Sequence, residues 1–160
     1  MNNNFFSNLF LWVSLIILPE MVFSQSTDFT IQDVKFESQG ITLAGSVLTP
    51  KNPFAAVVIV HGSDPVKREI EFAKRLAKEG IAVLTYDKRG VGESGGIYVG
   101  PSVGTNNIDT TNLNLLSSDA NAAVNTFRPY LKDKKIPIGL VGYSQAGWIM
   151  AITASSKSQI

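Results

Sequence analysis

The chain has no cysteine, which excludes disulfides, thiolate metal sites, a cysteine nucleophile and a lipoprotein anchor. His61 is its single histidine, so a metal centre built on several imidazoles is excluded too, and no metal or organic cofactor is implied. Neither sign of charge is in excess. Fourteen Lys and Arg face thirteen Asp and Glu without a block of like charges, so no nucleic acid or acidic polymer is implied as a partner. The N-terminal apolar run, Leu9 to Leu18, is interrupted by Ser14 and reaches about half of the ~20 residues that a membrane-spanning helix requires. Pro19 ends it, and Val22-Phe23-Ser24 carries side chains acceptable before a cleavage point. Residues 1–24 therefore read as a secretory signal peptide and residues 25–160 as a secreted or periplasmic domain, with no stable membrane span after cleavage. Met1 to Asn4 lacks the usual Lys or Arg, which leaves an uncleaved anchor as the alternative.

What is present fits one globular domain: 160 residues, 44% apolar, with thirteen glycines. Val34 to Ser38 and Ile41 to Thr49 alternate about the turn signal Gln39-Gly40 and predict an antiparallel hairpin. Ala55 to Val60 and Ile81 to Tyr86 are continuous apolar runs, the pattern of strands buried on both faces, and Ile136 to Val141 is a third. Between the first two, Ile70, Ala73, Leu76 and Ala77 recur at helical spacing within Lys67 to Glu79, and Gly80 follows as a stop. Leu113, Leu116, Ala120, Ala123, Val124, Phe127 and Leu131 mark a second helix, and Gln145 to Ala154 a third. The polar, glycine-rich stretch from Asp87 to Asn112 is too long for a plain connector and is expected to be a functional loop. Strands alternating with helices argue a doubly wound, mostly parallel α/β sheet approached from an N-terminal hairpin.

The main chemical signal is Gly142-Tyr143-Ser144-Gln145-Ala146-Gly147, a serine between small residues where a strand becomes a helix. A tight strand-to-helix turn pushes the hydroxyl outward for attack on a carbonyl, and Gly142, Ala146 and Gly147 are expected to supply room. The same turn sets the backbone N–H of Gln145 at a helix N-terminus, where it can stabilise negative charge on a substrate oxygen. A serine in this place can also be a simple helix cap. Trp148 and Ile149, on the following helix, are expected in the core, and Tyr143 is a candidate for lining the site.

These residues resemble the α/β-hydrolase family, with Ala146 standing at the last glycine of the family's G-x-S-x-G. His61-Gly62-Ser63 is similar to the family's H-G loop, and the resemblance implies that the N–H of Ser63 is the second oxyanion donor. Asp87-Lys88-Arg89-Gly90-Val91-Gly92-Glu93-Ser94 is similar to a D-x-R-G-x-G-x-S loop of the family, which implies bracing by Asp87 and Arg89. His61 is expected to be a structural hydrogen-bonder. Asp64 stands where many relatives have glycine, and is expected to face solvent because a carboxylate pointing inward would oppose the developing charge. The combination looks most like the serine esterase and acyl-aminopeptidase branch, which implies a small ester or peptide substrate cleaved through an acyl-enzyme on Ser144.

The family's order is nucleophile, acid, histidine. Residues 145–160 contain no Asp, Glu or His, so neither acid nor base is carried over to any position here. The chain is expected to be the N-terminal part of such a domain, inactive by itself and with its third parallel strand left as an apolar edge. A noncatalytic binding module on the same scaffold is the alternative from another class, and an enzyme completed by a partner chain is a third.

Overall fold

A computed structural model describes residues 29–99 and 109–156. The proposed signal peptide lies outside the described residues. Five strands form one sheet in the order β1-β2-β4-β3-β5. Strands β1 (Phe29–Ser38) and β2 (Ile41–Pro50) make the expected hairpin, longer than the sequence pattern suggested. Gln39 and Gly40 join them with φ of 47° and 75°, the left-handed pair that a two-residue hairpin turn demands. Strand β2 pairs antiparallel with β4 (Ile81–Tyr86), and β3 (Ala55–Val60) pairs parallel with β4 and with β5 (Ile138–Gly142).

Alternation along the central strands covers both sheet faces. Val58 and Leu84 pack with Val124, Phe127 and Leu131 on the side of α2 (Thr110–Phe127). Ile59 and Val83 point the other way, onto Ala73 and Ala77 of α1 (Ile70–Lys78). Val60 joins Leu113, Leu116 and Ala120 of α2 to Ala146 and Ile149 of α3 (Ala146–Ser155). The result is the three-layer arrangement expected from continuous apolar strands.

Helix α3 is shifted by one residue from the expected Gln145 to Ala154, and other boundaries differ for local reasons. Helix α1 starts at Ile70 because Glu69 before it has ψ of 67°, outside the helical range, in a segment whose amides donate to side chains: Arg68 N–H to Asp87 Oδ1 and Glu69 N–H to Thr85 Oγ1. Strand β5 starts two residues late, after Pro137, which has no N–H, and after Ile136, whose carbonyl accepts from Arg128 at 2.6 Å. Helix α2 already includes Asn112, because Asp109 caps it by accepting the Asn112 N–H at 2.9 Å. It stops before Leu131, which is buried beyond a short 3₁₀ turn at Arg128–Tyr130 containing Pro129.

From β3 the chain crosses to β4 by α1 on one face, then by α2 on the other face to β5, on the opposite side of β3. The carboxyl ends of β3 and β5 thus flank a topological switch point, the place where open α/β sheets form a crevice.

Candidate active site

The three motif segments follow β3, β4 and β5 at their carboxyl ends. Ser144 lies between β5 and α3 with φ of 59°, a backbone conformation costly for a residue with a Cβ, and its side chain is exposed. Gly142 is required there: a Cβ would lie 2.3 Å from the Val60 carbonyl oxygen and 2.6 Å from the Ala146 Cβ. Gly62 packs on the same turn, where a Cβ would lie 3.6 Å from Ser144 Cβ and 3.4 Å from the Tyr143 carbonyl oxygen. The loop after β3 therefore sits directly against the serine turn. Ala146 is buried under that turn, so its small size is used. Gly147 is not needed for space, since a Cβ there would meet nothing within 4 Å.

Ser63 lies beside Gly62, and its carbonyl accepts from the Tyr98 hydroxyl at 2.6 Å. Gln145 is buried at the N-cap of α3, with its side-chain oxygen 3.2 Å from Lys88 Nζ. Asp64 is exposed, as expected. Tyr143 is exposed beside Gly62. Ile149 enters the core, whereas Trp148 does not and is 62% exposed. The reason is that α3 is apolar all round, so the sequence leaves its buried face unspecified.

His61 is buried and donates from Nε2 to the Tyr86 carbonyl, with its ring edge-on to Tyr86 at 4.9 Å between centroids. Burial pushes its pKa down to about 4, against the Tyr86 carbonyl and with the help of the nearby Lys88 charge. The ring is neutral at neutral pH and tied to backbone, which fits a structural role.

Asp87 and Arg89 brace the loop after β4. Asp87 accepts from Arg68 N–H, Nε and a terminal nitrogen at 2.8, 3.1 and 2.9 Å, and from Glu93 N–H at 2.9 Å. Burial alone would raise its pKa, but these bonds and the Arg68 charge hold it below the ordinary carboxylate value. Arg68 also reaches the hairpin, at the Gly45 carbonyl (3.1 Å) and Ser46 Oγ (3.2 Å). Arg89 forms a two-pronged pair with Asp119 of α2 at 2.9 and 2.5 Å, and donates to the Ser38 carbonyl at 3.1 Å.

Sequence reasoning missed Arg68, Lys88, Tyr98 and Asp119. Only Asp119 carried a signal: an acid three residues after Leu116 and four before Ala123, inside the apolar stripe of α2. Lys88 occupies the variable position of its motif, and nothing in the pattern marks it as buried. Among the described residues, no cluster of His, Asp and Glu suits a metal ion, and no helix is long and apolar enough to cross a membrane.

A mixed sheet whose strands β3, β4 and β5 run parallel, covered by helices on both faces, is the fold of the α/β-hydrolase class. The family profile described as serine aminopeptidase, S33, matches residues 51–159, more than half of the chain, and the chain belongs to that family. Solved structures agree on the fold. The esterase Pf2001 of Pyrococcus furiosus is 24% identical with a TM-score of 0.62, over 82% of this chain and 49% of that one. The α/β hydrolase GrgF of Penicillium sp. sh18 is 26% identical with a TM-score of 0.63, over 82% and 43%. Est1E of Butyrivibrio proteoclasticus, solved with ferulic acid bound, is 24% identical with a TM-score of 0.57, over 76% and 47%. The chain thus spans about half the length of these structures. Comparison with curated proteins gave no match.

Proposed function

We propose that the protein carrying this chain is an exported serine hydrolase that cleaves carboxylic esters, with peptide or amide bonds as the alternative acyl substrate. In this reading Ser144 Oγ attacks the carbonyl carbon, and the N–H groups of Ser63 and Gln145 stabilise the oxyanion. The alcohol leaves, and water then releases the acid from the Ser144 ester. The observation that carries the proposal is the exposed Ser144 at φ of 59°, wedged between Gly142 and Gly62. Family membership and the likeness to GrgF support hydrolysis in general. His61 is not the base here, because its Nε2 is committed to Tyr86 and its pKa is low. Acid and base are to come from outside residues 1–160.

The test is to express the complete reading frame that contains this segment and treat it with a fluorophosphonate and with p-nitrophenyl butyrate. Expected are covalent labelling of the peptide holding Ser144 and ester turnover, both lost in Ser144→Ala. Residues 25–160 alone are expected to give no burst of p-nitrophenol. Wild-type turnover in Ser144→Ala would overturn the assignment. Reading the gene past the codon for Ile160 bears on the rival: an in-frame Asp and His support the enzyme, and a stop codon supports the noncatalytic binding module.

A further inference from the structure

Lys88 is the residue of the loop after β4 for which bracing gives no account. It is only 2% exposed, although an ammonium group is strongly hydrated and costly to bury. Its Nζ donates to the Gly62 carbonyl at 2.6 Å and to Gln145 Oε1 at 3.2 Å, with the Asp64 carbonyl at 3.5 Å. The Tyr98 ring lies 5.4 Å away beneath the charge. These contacts converge on Gly62, which lies against the Ser144 turn, and on Gln145, the residue after Ser144. The Gly62 carbonyl and the Ser63 N–H belong to one peptide unit, and in a trans peptide they point in opposite directions. A cation held on that oxygen therefore turns the Ser63 N–H away from itself. By drawing electrons along the amide it also makes that N–H a stronger donor. Tyr98, donating to the Ser63 carbonyl at 2.6 Å, fixes the next peptide unit in the same loop.

We infer that Lys88 is a positioning residue for the oxyanion site: its ammonium group orients and polarises the Ser63 amide through the Gly62 carbonyl, and ties that loop to Gln145. The inference rests on the reading of Ser144 as nucleophile. The groups facing Lys88 are few. His61 and Asp64 come from the loop after β3, and Tyr98 from the segment beyond its own turn. Asp87, already held by Arg68, and Arg89 flank it in sequence, and Ala146–Ser155 of α3 contribute no titratable side chain. Burial pushes the Lys88 pKa down to about 8, against the pull of Asp64, so the charge is present below that pH and is lost above it.

The test uses the complete reading frame with p-nitrophenyl butyrate, comparing wild type, Lys88→Met, Lys88→Arg and Ser144→Ala. Losing one oxyanion donor outright costs about 10²–10³ in kcat, so misaiming one is expected to cost about 10- to 100-fold in Lys88→Met. KM should stay within about threefold, and Lys88→Arg should recover most of the rate. A folded Lys88→Met with wild-type kcat overturns the inference, as does a loss confined to KM. Should Lys88→Met fail to fold, the pH profile decides. The wild-type kcat is expected to fall above about pH 8, with that limb displaced to higher pH in Lys88→Arg. An alkaline limb unchanged by Lys88→Arg overturns the inference. Ser144→Ala separates the two readings: undiminished turnover there removes the nucleophile and the role of Lys88 together, whereas a silent Ser144→Ala beside a fully active Lys88→Met removes the Lys88 role alone.

Discussion

Gln39 and Ser144 share a backbone conformation and nothing else. They are the two non-glycine residues with left-handed φ among those described, at 47° and 59°. At the hairpin tip the conformation arises locally: two strands of matching twist need a two-residue turn, Gly40 follows at φ of 75°, and the space around it is open. At Ser144 it is imposed from a distance. Strand β5 must hand over to α3 while Gly142 is pressed under the Val60 carbonyl and Gly62 closes the other side. The same strain is an ordinary turn in one place and an over-determined geometry in the other, and it is the second on which the proposed role of Ser144 rests.

The comparison breaks first at the glycines. Gly142→Ala is expected to destabilise the fold by about 3 kcal/mol, because its Cβ meets a backbone oxygen that cannot move without opening the β3–β5 pairing. Gly40→Ala should cost only about 1 kcal/mol, the left-handed penalty alone, since nothing lies within reach of its Cβ. Denaturant midpoints of both variants check this, and equal losses would erase the distinction between the two turns.

Acid titration gives a second contrast, because the loop against the serine turn carries a buried histidine next to Gly62 and the hairpin tip has none. The His61 pKa falls from 6.5 in the unfolded chain to about 4 in the fold, so the unfolded state binds more protons between these values. Stability from this group is complete above pH 6.5 and is lost as the pH drops toward 4, by roughly 3 kcal/mol in all. Replacing His61 by Gln should flatten that part of the stability–pH curve, as read by thermal unfolding from pH 7 to 4.

The smallest effect has opposite consequences at the two positions. Gln39→Gly and Ser144→Gly should each stabilise the fold by about 1 kcal/mol, through relief of the left-handed backbone. In ester assays of the complete protein, the first should leave turnover unchanged and the second abolish it.

Strands β3 and β4 were legible to the residue, because a run of apolar side chains bounded by polar ones leaves a buried strand little freedom. The serine turn was legible as well, because His61-Gly62-Ser63 and the Asp87 to Ser94 loop follow other strands of the same pattern and resemble the same family. What the pattern hid depends on partners remote in sequence. The amides before helix α1 dock on Asp87 and Thr85, Trp148 faces outward from a helix with no polar side, and Gly147 has open space where a tight fit was expected. Lys88 was invisible because its burial depends on carbonyl oxygens, and backbone acceptors leave no trace in a sequence.

Arg68 bridges two parts of the molecule that the chain order keeps apart. One guanidinium touches Gly45 and Ser46 in the hairpin as well as Asp87 and Glu93 in the loop after β4. Asp87 N–H in turn donates to the Ala44 carbonyl at 2.8 Å, and Ala44 N–H to Ser94 Oγ at 3.0 Å. Anyone grafting this serine turn and its companion loops onto a different parallel sheet would have to transplant β1 and β2 along with them, because the hairpin is the scaffold's ruler for where the loops stand.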